Sequence, residues 1–486
     1  MIMLFKFKTY PSAKTQWTHF AINLALAFLV IAILLVMENT IFFKEKRNYL
    51  LDHIMYWHSD QAAETDDRLA IFNIDEATYR DWGSPLITPR DKLKTLIEKA
   101  AHHGANVIVV DLNLAWTSEG YIDSPNDTLS PADQALGEYL QTLNESEAEN
   151  TPIVILTREY RLPLTAEGYQ NRQAFLQKPP IFLDNYLTTA KNVFWAATFY
   201  QPDSDTVLRR WEIASLVCEP PQLTLVPSMQ LLAALAQQHS QHQSRRQVAT
   251  ILQNYQQHLN QWANQFSCTD TEEKTLYHLC QQHACDQLNI DLPKTSDESH
   301  TIKLVDTHTS EKVVYRFAPP DNPQVNRQAW VDDYSAQAIL AGEPVDVLKQ
   351  IVLIGATHQN NSDKHLIPIR FKPVDGVYIV ANAIDTLLRF GQFQPQSLRT
   401  KGLIAVSLAI ITALIFTLFE AFIAFILTGI GLVILVGWSL EKMHYGIEID
   451  LTLYLLAIQV VQFSTRALGF IQAIREKVLN NERRLS

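Results

Sequence analysis

The sequence has little cysteine, little glycine and a shortage of basic charge, and each shortage excludes a class of protein. Its 486 residues include four cysteines, too few for a disulfide-dense scaffold. Lys and Arg total 40 against 51 acidic residues, a net charge of −11, so we expect no nucleic-acid partner. The 15 glycines form neither a G-x-x-x-x-G-K-[ST] nor a G-x-G-x-x-G pattern, which argues against a phosphate-binding loop.

Apolar residues are plentiful but unevenly distributed. They make up 47% of the chain and concentrate in Phe20–Met37, in 402–440 and after Leu451. The first run approaches the length of a membrane span, and the second is about twice that length. We therefore predict four transmembrane helices, at residues 17–43, 402–419, 421–440 and 451–473.

The charges beside these runs predict an orientation. Residues 1–16 carry lysines and no acid, and the tail at 474–486 is also basic, so both ends are expected in the cytoplasm. Residues 44–400 then form an extracytoplasmic domain, and the chain is predicted to be a multi-pass membrane protein. The basic segment KEKR at 44–47 is a contrary sign.

All four cysteines fall in the predicted extracytoplasmic part: Cys218, Cys268, Cys280 and Cys285. An even number in an oxidising compartment permits two disulfides, and four cysteines allow three pairings. Metal ligation by Cys268, Cys280 and Cys285 is the alternative, but their spacing fits no zinc pattern. We favour disulfides or free buried thiols and predict no metal site.

Strand and helix patterns alternate along the extracytoplasmic part. RLAIFNIDEATY predicts a strand that ends at Asp75, and TPRDKLKTLIEKAAHHG predicts a helix with Thr88 as its N-cap. ANVIVVDLNLAW predicts a strand that ends at Asp111. A strand, helix and strand of this kind form a βαβ unit of a parallel sheet, so we predict an α/β domain with a mainly parallel sheet.

Four more strands and two helical regions follow. The strands are predicted at Ile153–Thr157, at Val193–Tyr200, in KVVYRFAP and in IVLIGAT. GVYIVANAIDTLLRFG, Gly376 to Gly391, predicts a helix. Residues 230–300 include a Gln-rich stretch without Gly or Pro and predict a helical insertion.

Candidate binding residues follow from the strand ends. Ligands of open α/β sheets bind outside the carboxyl ends of the strands, where Asp75 and Asp111 are expected and where the loop with Thr357 and Asp363 begins. Three acids at one edge can bind a divalent cation or act in acid–base catalysis. An Asp after a strand also commonly caps a helix or forms a turn, and no nucleophile–base pair accompanies these acids, so we predict no catalytic residue and no cofactor.

Two arginines complete the candidate cleft. Arg90 lies just inside a predicted helix start, where its charge opposes the helix dipole, so helix stability does not explain it. Arg209 follows PDSDTVL. Each is a candidate for an internal ion pair or for ligand contact.

Taken in order, these segments resemble a CHASE2 domain, an extracytoplasmic sensory domain of bacterial signalling proteins. The matching segments are IDEATY, TPR, GANVIVVDLNL, DSDTVLRR, IVLIGAT, the loop with Asp363, and DGVYIVANAIDTLL. The family usually has one leading transmembrane helix before the domain and three after it. Thr206 stands where the family often has a glycine.

The resemblance implies an inner-membrane sensor rather than an enzyme. Family members commonly continue into a cytoplasmic catalytic module, and only IREKVLNNERRLS follows the last predicted span here. We therefore expect relay to a separate signalling or periplasmic protein, with the membrane and a homodimer as further expected partners. An oligomeric scaffold without a ligand and a metal-dependent hydrolase that uses Asp75, Asp111 and Asp363 are the alternatives.

Overall fold

The computed structural model describes residues 12–37, 69–118, 129–164, 174–268, 331–368, 373–392 and 398–443, with short pieces between them. The described residues belong to two compact units, one within 55–392 and one formed from 1–54 and 393–486. Cys285, the predicted span at 451–473 and the tail at 474–486 lie outside the described residues.

The elements are numbered here in chain order. The strands are β1 (Leu69–Ile74), β2 (Val107–Asp111), β3 (Ile153–Thr157), β4 (Leu176–Gln177), β5 (Val193–Ala196), β6 (Tyr200–Pro202), β7 (Leu208–Glu212), β8 (Ala214–Glu219), β9 (Gln222–Pro227), β10 (Ile290–Asp291), β11 (Thr301–Ile302), β12 (Ser310–Lys312), β13 (Asp332–Ser335), β14 (Ile351–Ala356), β15 (Lys364–His365), β16 (Val374–Asp375), β17 (Gln394–Pro395) and β18 (Ile447–Glu448). The helices are α1 (Ala13–Met37), α2 (Glu76–Asp81), α3 (Arg90–His102), α4 (Pro131–Glu145), α5 (Met229–Ser240), α6 (Arg245–Ala263), α7 (Ala336–Ala341), α8 (Gly376–Phe390), α9 (Leu398–Leu418) and α10 (Ala421–Met443), with a 3₁₀ turn at Phe182–Asn185.

A six-stranded parallel sheet organises the larger unit. Its strand order is β13-β1-β14-β2-β3-β5, and every neighbouring pair is parallel. β1 and β14 are buried along their whole length, as expected of strands covered on both faces. The mainly parallel α/β sheet predicted from the sequence is therefore present.

Alternate residues of each strand serve two separate cores, because side chains of a strand point to opposite faces. Leu69 and Ile71 pack with residues of α5, α6 and α8. Ala70, Phe72 and Ile74 pack with residues of α3, α4 and α7. The unit is thus a three-layer α/β/α arrangement, and the carboxyl ends of its strands meet at one edge.

Two local predictions are wrong. Helix α3 begins at Arg90 with Pro89 in the cap position and without a side-chain cap, so Thr88 is not its N-cap. The outer strand beside β1 is β13, not the segment KVVYRFAP. The described residue Lys312 of that segment ends β12, which pairs with β7 in a separate sheet.

Two small sheets stand beside the carboxyl edge. One has the order β12-β7-β6 and the other β4-β8-β9. The end of β8 is tied to the chain after α6 by a disulfide between Cys218 and Cys268. Cys280 is also disulfide-bonded.

The second unit contains the long apolar helices. Helix α1 packs on α9, Ala409 and Ala413 are buried, and Asn23 Nδ2 donates to Thr417 Oγ1 at 3.1 Å. The prediction of transmembrane helices is wrong for the described part of the chain, because no helix there is long and apolar enough to cross a membrane. The fourth predicted span, at 451–473, lies outside that part.

Candidate functional site

A cleft of about 690 Å³ opens at the carboxyl edge of the sheet, within the larger unit. Its floor is formed by the ends of β14, β2 and β3, and its rim by the loop after β14 and by the small sheets. This volume is ordinary for a small-molecule site. The polar lining residues are Asp111, Asn113, Thr157, Arg158, Glu159, Tyr160, Thr198, Tyr200, Glu212, Ser215, Asn361, Ser362 and Asp363.

Asp111 lies at the centre of the floor. It ends β2 in register with Gly355 of β14, on the same face as the buried Val107 and Val109. Its Oδ2 atom is buried and has no hydrogen-bond partner among the described residues. Burial, then the nearby Asp363 carboxylate, raise the Asp111 pKa to about 8, against a smaller opposing effect of a hydrogen bond with Thr157. A buried acceptor without a donor is costly, and a ligand with a donor would remove that cost.

Asp363 reaches the cleft from the loop after β14. Its Oδ1 atom lies 2.7 Å from His365 Nε2, and its backbone oxygen accepts from the Gly376 amide at 2.9 Å. A Cβ on Gly376 would collide with the Asp363 carboxylate, so a larger residue at the start of α8 would force that carboxylate to move. A glycine is required in β14, because a Cβ on Gly355 would come within 2.6 Å of Val377.

A third carboxyl and a phenol add to the polar lining. Burial raises the pKa of Glu212, and a hydrogen bond with Ser215 partly opposes that effect. Burial, Asp111 and Asp363 together raise the Tyr200 pKa well above its ordinary value. The Tyr200 hydroxyl donates to the Gly376 backbone oxygen at 3.2 Å, so this residue joins the floor of the cleft to α8.

Aromatic rings form part of the wall. Tyr160 stacks on Phe199 with ring centroids 6.0 Å apart, and burial raises the Tyr160 pKa. Phe199 adopts a φ of 45°, a strained conformation for a bulky residue that is often retained at functional sites. Phe175, Leu162 and Leu216 add apolar surface.

The basic residue of the lining pairs with Asp184 through its Nη atoms, while its buried Nε has no partner among the described residues. Arg158 is 2% exposed, and its Nη2 donates to Asp184 Oδ2 at 2.8 Å and to the Pro179 carbonyl at 2.6 Å. Its guanidinium lies 5.3 Å from the Trp195 ring centroid. Glu159, by contrast, accepts two hydrogen bonds from Arg161. The described charges that are left to face the cleft are therefore carboxyls.

Arg90 does not line the cleft. It is fully buried, and its Nε lies 3.7 Å from Asp133 Oδ1. Its Nη2 donates to the carbonyls of Asn113 and Trp116 at 3.3 and 2.6 Å. Burial lowers the Arg90 pKa to about 10, and Asp133 opposes this change. Arg90 thus fixes the chain after β2 rather than contacting a ligand.

Asp75 and Thr357 also lie away from the cleft. Asp75 caps α2 by accepting from the Thr78 amide at 2.8 Å. The Thr357 hydroxyl donates to Asn73 Oδ1 at 2.7 Å.

The Asn73 side chain belongs to a closed polar network. Asn73 Nδ2 donates to Asp333 Oδ2 at 3.3 Å, and the Tyr378 hydroxyl donates to the same atom at 2.6 Å. We call Asn73, Asp333, Thr357 and Tyr378 the closed network.

Arg209 stabilises a turn. Its guanidinium pairs with Asp203 Oδ2 at 2.9 Å and with both carboxylate oxygens of Asp205 at 2.8 Å. Thr206, within that turn, has a φ of 64°, a conformation that glycine adopts more readily. Arg209 is therefore held by its own loop.

The three acids proposed from sequence do not form a metal site. Asp75 is used as a helix cap, and Asp111 and Asp363 share the cleft. Among the described residues, no group of three or more His, Cys, Asp or Glu side chains is arranged to hold a metal ion.

Sequence reasoning missed several lining residues. Thr157 and Tyr200 end predicted strands, so the rule that placed Asp111 at the edge could also have found them. Glu212 and Ser215 lie where β7 leads into β8, which the sequence reading did not assign as strands. Phe199 lines the cleft in an unusual backbone conformation, and no pattern in the sequence predicts that conformation.

Comparison with known families gives one match. The CHASE2 domain matches residues 26–419, which is most of the chain and includes every residue of the cleft. No curated protein and no solved structure matches the chain significantly. The family match covers well over half of the sequence, and the chain therefore belongs to the family of CHASE2 domain proteins, whose domains are extracellular sensory domains.

Proposed function

We propose that the chain is a sensor that binds a small ligand in the cleft around Asp111 and relays its occupancy to a separate output protein. The observation that carries this proposal is the buried Asp111 Oδ2 atom, which has no partner among the described residues and borders a cleft of about 690 Å³. The sensory character of the family supports the same function.

The loop after β14, residues 357–365, is suited to respond to a ligand. Asn361, Ser362 and Asp363 line the cleft. On the opposite side, the His358 ring stacks on Tyr79 at a centroid distance of 3.8 Å. The Gln359 amide donates to Glu76 Oε2 at 2.9 Å. A change at the cleft can therefore reach α2 through this loop.

The same loop is connected to the start of α8. Lys364 Nζ lies 2.6 Å from Asp375 Oδ1, and β15 pairs with β16 directly before the helix. Asp363 packs against Gly376. These contacts support α8 as the element that responds when a ligand changes the position of Asp363.

The output protein is part of the proposal. Cleft occupancy would alter the surface that this chain presents to a signalling protein, without catalysis by the chain itself. The chemistry available agrees with this view, because the cleft pairs its acids with aromatic rings and hydroxyls rather than with an activated nucleophile.

Ligand binding is tested on the purified full-length chain by thermal unfolding with a panel of neutral, cationic and anionic small molecules. A ligand of the folded state raises the unfolding temperature in a concentration-dependent way. The variant Thr198→Trp fills the cleft, and the control Thr250→Trp places the same ring on an exposed turn of α6. A shift that Thr198→Trp abolishes and Thr250→Trp retains supports the proposal. A panel without any such shift contradicts it.

A further inference from the structure

We infer that the ligand of this cleft carries a protonated primary amine, which binds the carboxyls of Asp111 and Asp363 while an apolar or aromatic body packs on the rings of the wall. This inference rests on the proposed function and adds the chemical class of the ligand. It follows from three features of the cleft. The Asp111 Oδ2 atom lacks a donor, the nearby basic side chains pair with other groups, and aromatic rings form part of the wall.

The cleft contains one acceptor atom that no described protein group satisfies. Asp111 Oδ2 is buried without a hydrogen-bond partner, and the Asp363 carboxylate is close enough to raise its pKa. Two acids that share one site favour a cation between them. Glu212 adds a third carboxyl, half-buried, whose partner is a serine hydroxyl rather than a base.

Nearby basic side chains do not supply that cation. Lys364 pairs with Asp375 at 2.6 Å, and Arg158 pairs with Asp184. His365 lies 2.7 Å from Asp363 Oδ1. Among the described residues, no basic side chain forms a salt bridge with Asp111, so a cation from outside the protein fits the vacant acceptor.

Hydrogen-bond geometry favours a primary ammonium. Such a group has three N–H donors and no acceptor. One donor can bind Asp111 Oδ2, and another can bind the adjacent hydroxyl oxygen of Thr157. A quaternary ammonium has no N–H and would leave Asp111 Oδ2 unpaired. Charge-assisted hydrogen bonds of this kind are roughly twice as strong as neutral ones.

The wall of the cleft accommodates the remainder of the ligand. Tyr160 and Phe199 present stacked rings, and Phe175 and Leu216 present apolar surface. An aromatic or aliphatic body gains from burial against them. The fourth ring, Tyr200, lies near both Asp111 and Asp363, where the face of a phenol also attracts a cation.

Isothermal titration calorimetry on the full-length chain at pH 8 tests the inference with three matched probes. These are 2-phenylethylamine, the neutral 2-phenylethanol and the anion 3-phenylpropionate, followed by shorter and longer primary amines. We expect the best amine to bind at least tenfold more tightly than its alcohol, and the acid to bind more weakly than either. Equal or tighter binding of the alcohol or acid would overturn the inference, as would the absence of binding by every amine.

Two variants locate the interaction. Asp111→Asn preserves the shape of the side chain and should weaken amine binding at least tenfold, whereas the exposed control Asp81→Asn should leave it unchanged. Thr198→Trp should block the amine and Thr250→Trp should not. Amine binding that persists in Asp111→Asn or in Thr198→Trp would place the amine elsewhere and overturn the inference.

The inference and the proposed function fail in different ways. Neutral or anionic compounds that stabilise the chain and are blocked by Thr198→Trp would preserve the cleft as a ligand site while excluding the amine. If no compound of any charge binds in a manner sensitive to Thr198→Trp, both fail. A folding defect in Asp111→Asn is checked by thermal unfolding at pH 6, where the raised pKa of Asp111 keeps its carboxyl protonated and the two side chains are both neutral.

Discussion

Two polar regions lie at the carboxyl edge of the same sheet: the cleft around Asp111 and the closed network of Asn73, Asp333, Thr357 and Tyr378. They differ in whether their carboxylate oxygens have hydrogen-bond donors. In the closed network, Asp333 Oδ2 accepts from both Tyr378 and Asn73. In the cleft, Asp111 Oδ2 has no described donor. The difference shows that position at a strand end does not identify a binding residue. A strand-end acid is a binding candidate when its acceptor atom is unpaired and borders a cavity.

Substitution of the buried Arg90 should give the largest loss of unfolding free energy, and it tests whether this residue has a structural role. Arg90→Ala removes the partner of Asp133, a side chain that is fully buried, and breaking a buried ion pair costs about 3–5 kcal/mol of unfolding free energy. Urea unfolding measures this loss. The matched change Lys94→Ala breaks a partly exposed pair with Glu98 and should cost about 0–1 kcal/mol. Similar losses for both variants would contradict a structural role for Arg90.

The contact between the cleft loop and α8 is tested next. Gly376→Ala forces a Cβ into the Asp363 carboxylate, and overpacking of this kind costs about 1–3 kcal/mol. Urea unfolding measures the loss, which should shrink when Asp363→Ala is combined with it. Gly429→Ala is the control, because a Cβ there meets no neighbour within 4 Å. Additive effects of Gly376→Ala and Asp363→Ala would show that the two residues are not coupled.

Tyr378→Phe tests the closed network. It removes the hydroxyl that donates to the buried Asp333 at 2.6 Å, and an acceptor left short of a donor costs about 1–3 kcal/mol. Tyr334→Phe, whose hydroxyl makes a 3.3 Å bond to the Asp346 carbonyl, should cost less. Neither change should alter ligand affinity at the cleft. A loss of affinity in Tyr378→Phe without a loss of stability would place the closed network in the binding site.

The pH dependence of stability tests Asp111 in the empty cleft. Its pKa is raised to about 8 by burial and by Asp363, so between about pH 4 and pH 8 the folded chain retains a proton that the unfolded chain has lost. The contribution of Asp111 to the unfolding free energy is therefore complete below about pH 4 and declines as pH rises to about 8. For one proton the decline is at most about 1.4 kcal/mol per pH unit.

The difference between two chains isolates the contribution of Asp111. The titratable side chains nearest to it, Asp363, His365 and Tyr200, remain in both chains. Asp111→Asn should lose stability less steeply than the unaltered chain in urea unfolding between pH 5 and pH 8, and Asp81→Asn should follow the unaltered chain. Parallel pH profiles for Asp111→Asn and the unaltered chain would contradict a protonated Asp111.

The sheet was the most predictable part of this chain. Strands such as Ile153–Thr157 and IVLIGAT are continuous apolar runs, and such runs predict strands buried on both faces. The edge strand β13 was missed because Asp332 and Asp333 begin it, and acidic residues are depleted in strands. The cleft was located only in part. Asp111 and Asp363 were found from the strand-end rule, whereas Asp75 and Thr357 satisfy the same rule and bind other groups. Arg90 and Arg209, chosen for their charge, also pair with groups away from the cleft.

The partner of a side chain cannot be predicted from the sequence when it comes from a distant segment of the chain. The pair between Arg90 and Asp133 joins the starts of two helices, and Thr357 binds Asn73 across 284 positions. The apolar runs of α1, α9 and α10 show the same limit, since their composition predicted membrane spans that the described residues do not support.

The release of a proton on ligand binding tests most directly whether the Asp111 carboxyl is the group that the cleft offers to a ligand. Calorimetric titration of the full-length chain with 2-phenylethylamine at pH 7, in two buffers of different ionisation enthalpy, measures the number of protons released per amine bound. The raised pKa of Asp111 predicts release of close to one proton per amine bound by the unaltered chain and close to none by Asp111→Asn. Amine binding to the unaltered chain without proton release, or equal release by both chains, would contradict the account.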